Sequence, residues 1–368
     1  MTDPPAVTPL LLDVDTGIDD SLALLYAAGS PDAEIVAVTC VGGNVDARQV
    51  AENTRAVLEL AGRDDIEVAL GRETPLVRPL VTTPETHGPK GIGYAVLPPP
   101  RRPLSERHAA DLIVAEARRR PGQVTLVTLG PATNLAVAVL REPELPLLLR
   151  RWVLMGGSYR SPGNTAPTTE WNVSVDPDAM KVALTAFSAP DVVARREAAG
   201  LPALPLALGL DVTERAKLLP ERVAAIARRA GSRPDPARRG AEAGAARAGS
   251  AAPASAPSAA THPVIRFVED ALRFYMEFHS RYDGFYGAFV HDPLAVAAAL
   301  DPALVRSEEL AVDVELGGTL TTGETVTDWR RAWGRPPTLA VAVEVDVATF
   351  FDRLVERIGT LAARIGPG

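Results

Sequence analysis

The sequence predicts an α/β fold: a doubly wound, mostly parallel central sheet flanked by helices, with a small C-terminal antiparallel extension. Three observations carry this. Leu10–Asp15, Ala33–Val41, Val124–Leu129 and Arg151–Met155 are short, nearly continuous apolar runs, the pattern of strands buried on both faces. Stretches of helical period lie between them, which implies right-handed helical crossovers. Several runs also end on Asp, Gly or Asn, so polar residues stand at the carboxyl rim, where sheets of this kind gather their ligands.

Taken in order, Leu10–Asp15 runs into a Thr16-Gly17 turn and a helix opened by Asp19-Asp20 and continued by Leu22, Leu24, Leu25 and Ala28. Ala33–Val41 ends in Gly42-Gly43-Asn44, Asp46–Ala61 has helical pattern, and Glu67–Leu70 is a short strand. Val77–Pro103, which contains His87-Gly88, is a loop of a length that is often functional. Ala109–Arg120 reads as a helix, and Val124–Leu129 as a strand closing on Gly130-Pro131-Ala132-Thr133-Asn134 before helix Leu135–Arg141. Arg151–Met155 leads to Gly156-Gly157, the polar loop Ser158–Asn172 and helix Asp176–Ala186. Leu204–Val212 reads as another strand, with Thr213 a cap for the next element, and Pro220–Arg229 as an amphipathic helix.

Ala230–His262 breaks the pattern. Built from Ala, Gly, Pro, Ser and Arg with no apolar period, it lacks the surface needed to offset its ordering entropy, so it is expected to be a solvated, disordered insertion at 230–262 within a single domain spanning 1–368. Order is expected again in helix Val264–Tyr282, whose Phe267, Leu272, Phe274, Tyr275 and Phe278 read as an apolar stripe. Phe289-Val290-His291-Asp292-Pro293 and helix Leu294–Leu300 come next. Glu308–Val314, Thr319–Thr327 and Thr338–Val345 read as strands, and Val347–Ile358 as the closing helix.

At 368 residues, 46% hydrophobic and 23% charged, the composition is that of a globular enzyme-sized chain. The formal charge of -8 argues against nucleic acid as a partner. No apolar stretch approaches the ~20 residues of a membrane span, and the polar, Pro-rich start is no signal peptide. A single cysteine, Cys40, in an apolar run, fits a reducing interior, and the expected location is cytoplasmic.

Four carboxylates, Asp13, Asp15, Asp19 and Asp20, crowd the carboxyl end of the first strand. Like charges and burial both raise carboxylate pKa values, so such a cluster stays ionised only with a cation beside it. An all-oxygen site suits a hard ion, Ca²⁺ or Mg²⁺. The bland alternative is that Asp19 or Asp20 only caps the helix. It accounts for one acid, not for four on an apolar strand.

DVDTGIDD, VGGN at Val41–Asn44, GPATN at Gly130–Asn134, MGG at Met155–Gly157, GNTAPTTEWN at Gly163–Asn172 and HDP at His291–Pro293 together resemble the nucleoside hydrolases, the inosine–uridine preferring N-ribohydrolases. The resemblance runs in order from about Leu10 to the C-terminal helix. It implies hydrolysis of the N-glycosidic bond of a ribonucleoside to ribose and free base. It further implies a Ca²⁺ held by Asp15, Asp20, the Thr133 carbonyl and Asp292, with a metal-polarised water as nucleophile and Asp15 taking its proton. Asp19, Asn44, Asn164, Glu170 and Asn172 match the family's ribose binders. His291 matches a histidine that serves the leaving base, His87 a second base-side histidine, and Tyr282 and Tyr286 stand as base contacts. Family members are commonly homo-oligomers, which gives a dimer or tetramer as the expectation. The chain departs from the family pattern at Thr16, Ser21 and Trp171, where proline, alanine and phenylalanine are usual.

The same residues allow two rival readings. An aspartate-based phosphatase of the haloacid-dehalogenase type needs Thr or Val two positions after the second Asp, where this chain has Gly17. A catalytically silent nucleoside-binding relative is expected to have lost a carboxylate ligand or the acid, and none is missing.

Overall fold

The computed structural model describes residues 7–233 and 258–366. Its strands are β1 (Thr8–Val14), β2 (Ala33–Cys40), β3 (Val68–Leu70), β4 (Thr125–Thr128), β5 (Arg151–Met155), β6 (Leu206–Leu208), β7 (Lys217–Leu218), β8 (Ala288–Phe289), β9 (Val305–Leu310), β10 (Val312–Val314), β11 (Thr325–Thr327) and β12 (Leu339–Val345). Eight of them form one sheet in the order β3-β2-β1-β4-β5-β6-β12-β9. Every pairing in it is parallel except β12 with β9.

β1 is where the winding reverses. It pairs with β2 on one side and β4 on the other, so Asp13 lies opposite both Thr39 and Thr128. The crevice beyond β1 and β4 is thus the topological switch point, the place where such sheets bind ligands. The strand alternates as a two-faced strand must: Leu10, Leu12 and Val14 enter one hydrophobic layer and Leu11 the other. Each fully buried leucine is worth about 1.5–3 kcal/mol of transfer free energy, enough to fix the register and therefore the positions of Asp13 and Asp15.

The antiparallel extension is present as the β9 edge and as the separate pair β10–β11. Several boundaries differ from the sequence reading. Leu204–Val212 is not one strand: β6 stops at Leu208 and the chain turns at Gly209 into a short helix, Leu210–Thr213. A Cβ at Gly209 would lie 2.6 Å from the Tyr159 ring, and Asp211 accepts the backbone N–H groups of Tyr159, Arg160 and Ser161 at 2.8–3.0 Å. Contacts with a distant loop break the strand, and Thr213 ends the helix rather than capping the next. The loop at 158–172 ends in a short helix, Trp171–Val175, and a helix at Pro190–Ala198 appears where none was expected. The helix after the His-Asp-Pro motif begins at His291 itself and runs to Leu300, and the closing helix extends to Ile365.

Most of the expected insertion at 230–262 lies outside the described residues. Its end does not have the solvated character expected: Ser258, Ala260 and His262 are buried, and His262 Nε2 lies 2.8 Å from the Ala362 carbonyl oxygen. Among the described residues no helix is long and apolar enough to cross a membrane.

Candidate active site

The turn after β1 builds the first half of the site. Asp20, in the first turn of helix Ile18–Gly29, folds back so that Oδ1 accepts the Asp15 N–H at 3.2 Å and Oδ2 the Gly17 N–H at 2.8 Å. Asp15 Oδ2 accepts the Asn44 N–H at 2.8 Å, while Oδ1 is buried with no hydrogen-bond partner among the described residues. Two glycines let the neighbouring strand ends close on this carboxylate. A Cβ at Gly130 would sit 2.8 Å from Asp15 Oδ1, and one at Gly43 would run into Oδ2. Asn44 also reaches Asp20 Oδ2 through its amide at 3.3 Å.

Asp292 arrives from the far end of the chain, in the first turn of helix His291–Leu300. Oxygens of Asp19, Asp20 and Asp292, all buried, lie within 4.8 Å of one another. Burial first, then the Asp20 charge, pushes Asp15 and Asp19 well above the ordinary carboxylate range. Asp292 is raised in the same way, by burial and then by Asp19. Asp13 is separate. Its Oδ1 accepts from Thr39 at 2.6 Å and Asn134 at 2.8 Å, and burial pushes its pKa up to about 7. Three buried acids around one point, Asp19, Asp20 and Asp292, with an unpartnered oxygen on the neighbouring Asp15, form a donor set that fits a hard divalent cation. Without one, burial and mutual repulsion drive these groups towards their protonated forms.

Beside the acids stands a wall of rings. His87 Nδ1 accepts the Ile18 N–H at 3.1 Å, which fixes its hydrogen on Nε2, and burial pushes its pKa down to about 3. A Cβ on Gly17 would come 2.6 Å from that Nδ1, so glycine is needed there for His87 to close in. His291 Nδ1 meets Thr213 Oγ1 at 2.8 Å, and burial holds this imidazole near 3 as well. Tyr275 packs on His87 at 5.3 Å and on His279 at 4.6 Å between ring centroids. Burial, then Asp19 and Asp292, hold the Tyr275 phenol well above its usual range.

The loop after β5 supplies the third side. Glu170 accepts N–H groups of Gly157, Asn172 and Val173 at 2.8–3.1 Å and caps the short helix Trp171–Val175. Asn172 donates its amide to the carbonyls of Leu129 (2.6 Å) and Met155 (3.2 Å), tying the ends of β4 and β5 together. Asn164 accepts the Trp171 N–H at 3.0 Å, and Thr133 donates its hydroxyl to Asp176 at 2.7 Å. Tyr282 is 59% exposed, its ring on Phe278, and Tyr286 is half-buried against the main core.

A profile of the inosine-uridine preferring nucleoside hydrolases matches residues 10–352. The chain belongs to that family. The inosine-uridine preferring nucleoside hydrolase of Leishmania major is 33% identical over 355 residues, covering 95% of this chain and 98% of that protein. A pyrimidine-specific ribonucleoside hydrolase of an Enterobacter species is 33% identical over 360 residues, covering 97% and 99%. Among solved structures, the purine-preferring ribonucleoside hydrolase of Gardnerella vaginalis superposes with a TM-score of 0.80 at 29% identity, covering 97% of this chain and all of that one.

As a nucleoside hydrolase, the chain accommodates its departures locally. Thr16 Oγ1 pairs with Thr54 Oγ1 at 2.7 Å, and Ser21 donates to the Gly17 carbonyl at 2.6 Å, both buried. Sequence reasoning missed Thr213, Tyr275 and His279. Tyr275 and His279 are spaced i, i+4 and so share a helix face, the one signal that could have found them; it resembled an ordinary core stripe. For Thr213 no signal existed, because its partner is far along the chain.

Proposed function

We propose that this nucleoside hydrolase cleaves the N-glycosidic bond of ribonucleosides to ribose and free base at a Ca²⁺ site held by Asp15, Asp20, Asp292 and the Thr133 carbonyl. The observation that carries the reading is the meeting of Asp292 with Asp19 and Asp20, buried together beside an unpartnered oxygen of Asp15. When bound, the ion supplies acidity to a water and a hold on the vicinal diol of ribose.

The rest is the work of the chain's own residues. Asp15, flanked by Gly43 and Gly130, takes the proton of the attacking water. As the C1′–O bond forms and the C1′–N bond breaks, positive charge develops on the sugar, and the buried carboxylates stabilise it. Asp19, Asn44, Asn164, Glu170 and Asn172 bind the ribose hydroxyls. Because Glu170 and Asn172 are tied to the backbone at both strand ends, they pay little ordering entropy on binding.

The electron pair of the broken bond goes to the base nitrogen, and the proton it needs, supplied overall by the water consumed, is delivered through His291 as its imidazolium. Thr213 Oγ1, 2.8 Å from His291 Nδ1, holds the ring by that nitrogen and leaves Nε2 to face the base. His87, with its hydrogen fixed on Nε2, orients the base.

Release of reducing sugar from uridine, cytidine and inosine, with and without chelator, tests this. Cleavage that stops on chelation and returns with Ca²⁺ is expected. Hydrolysis of a phosphate ester instead, or cleavage indifferent to chelator, overturns it.

A further inference from the structure

The helix Ala47–Leu60 carries a side chain, Asn53, that the reaction above leaves without a task. It is 3% exposed, and its amide is engaged at both ends. Gln49, one turn earlier, donates to Oδ1 at 2.9 Å. The two hydrogens of Nδ2 go to backbone carbonyls on two different segments, Thr16 at 3.1 Å and Lys90 at 2.7 Å. Carbonyl oxygens only accept, so an apolar side chain at this position leaves both of them unmet.

The two carbonyls belong to the two halves of the site. Thr16 lies in the turn from Asp15 to Asp20, where Asp20 accepts the Asp15 and Gly17 N–H groups. The neighbour of Asn53 holds Thr16 a second time: Thr16 Oγ1 meets Thr54 Oγ1 at 2.7 Å, and Thr54 donates to the Val50 carbonyl at 2.8 Å. Lys90 follows His87 in a loop closed on itself, the Gly91 N–H on the Gly88 carbonyl at 3.0 Å and the Gly93 N–H on the His87 carbonyl at 2.8 Å. Gly91 takes φ +80°, and a Cβ there would come 3.1 Å from Asn53 Nδ2, so glycine lets loop and amide close. The same two segments meet again where His87 Nδ1 accepts the Ile18 N–H. One helix side chain thus sets the spacing between the turn that bears the acids and the loop that bears His87.

We infer that Asn53 is a positioning residue that couples the acid-bearing turn Asp15–Asp20 to the His87 loop through the carbonyls of Thr16 and Lys90. The inference rests on the hydrolase reading above. Groups that act on one substrate must be held to within about 0.5 Å, and a side chain on a helix holds them better than a loop does. Loss of the amide therefore disturbs the cation site and the base side together.

The test takes two readouts on Asn53→Leu. One is the Kd for Ca²⁺ alone, by calorimetric titration of chelator-treated protein. The other, at saturating Ca²⁺, is the ratio of kcat/KM on uridine or inosine, whichever is cleaved faster, to that on a nitrophenyl riboside, which has no base for His87 to orient. Neither depends on the folded fraction of the sample. Ca²⁺ is expected to bind about tenfold more weakly, and the ratio to fall about tenfold. Gln49→Ala, at a half-buried side chain and so safe for the fold, leaves the Asn53 amide in place but frees its orientation, and moves both readouts the same way by about threefold. A lower melting temperature with both readouts unchanged makes Asn53 a packing residue and overturns the coupling. Movement of one readout without the other overturns it too, and in either case the hydrolase reading stands. Wild-type protein that cleaves no riboside brings down both.

Discussion

Thr213 Oγ1 and His291 Nδ1 meet at 2.8 Å, both buried, although one ends a short helix after β6 and the other begins the helix that carries Asp292. The contact joins the end of a central strand to the group proposed to protonate the base. Thr213→Val removes the hydroxyl at nearly constant volume. The expected result is about a tenfold fall in kcat on uridine or inosine with KM little changed, and recovery in Thr213→Ser. An equal loss on a nitrophenyl riboside, whose leaving group needs no proton, would count against this.

Asp15→Asn keeps the shape of the side chain and the Asn44 contact but removes the base and a charge. Turnover should fall by about 10²–10⁴-fold while circular dichroism stays unchanged. Near-normal activity would refute the role of Asp15.

Gly43→Ala forces a methyl group into Asp15 Oδ2. The expected cost is about 1–3 kcal/mol of stability in chemical denaturation, with activity lost well before the fold. Unchanged activity would show that the carboxylate can shift without consequence.

Removing the metal should lower the melting temperature, and by more at pH 8 than at pH 5. The sign follows from Asp15, Asp19, Asp20 and Asp292, all raised chiefly by burial. The metal-free fold holds protons that the unfolded chain has already released, so its stability falls as pH rises above the usual carboxylate range. The proposed Ca²⁺, at 100-fold above its Kd, is expected to restore about 2.7 kcal/mol. A calorimetric scan with and without chelator at both pH values checks the trend.

Glu214 is pushed up to about 7 by burial and by the nearby Asp283 and Asp211. Its ionisation therefore works against the folded state, progressively from its ordinary range of about 4.5 and fully above pH 7. Glu214→Gln is expected to melt higher than wild type at pH 8, with the difference shrinking towards pH 5. The same difference at both pH values would exclude this coupling.

Residues close in sequence were legible where local physics decides. The run LLLDVDTGIDD passes from strand through turn to helix within a few residues, so the clustering of Asp15, Asp19 and Asp20 follows from the covalent chain and the two-residue strand period. The reading of Leu204–Val212 as one strand failed for the converse reason: only the Tyr159 ring and the Asp211 contacts with residues 159–161 turn the chain at Gly209.

The ring wall shows the same division. Tyr275, His279 and Tyr282 all lie on the one amphipathic helix Pro263–Tyr282, yet Tyr275 and His279 are buried in the ring wall and Tyr282 is 59% exposed. The helical period was readable; which part of that helix meets the site depends on how it docks against the segment carrying His87 and on the path from Phe285 to His291. By itself the sequence determined the sheet, its polar rim and the family, because burial and turn chemistry act over a few residues. That Asp292 joins the acids of the first turn was legible only through the family resemblance, and the tertiary structure alone decided that Thr213 meets His291 and that His279 is left an open nitrogen. Those contacts join segments far apart along the chain, and no local preference encodes them.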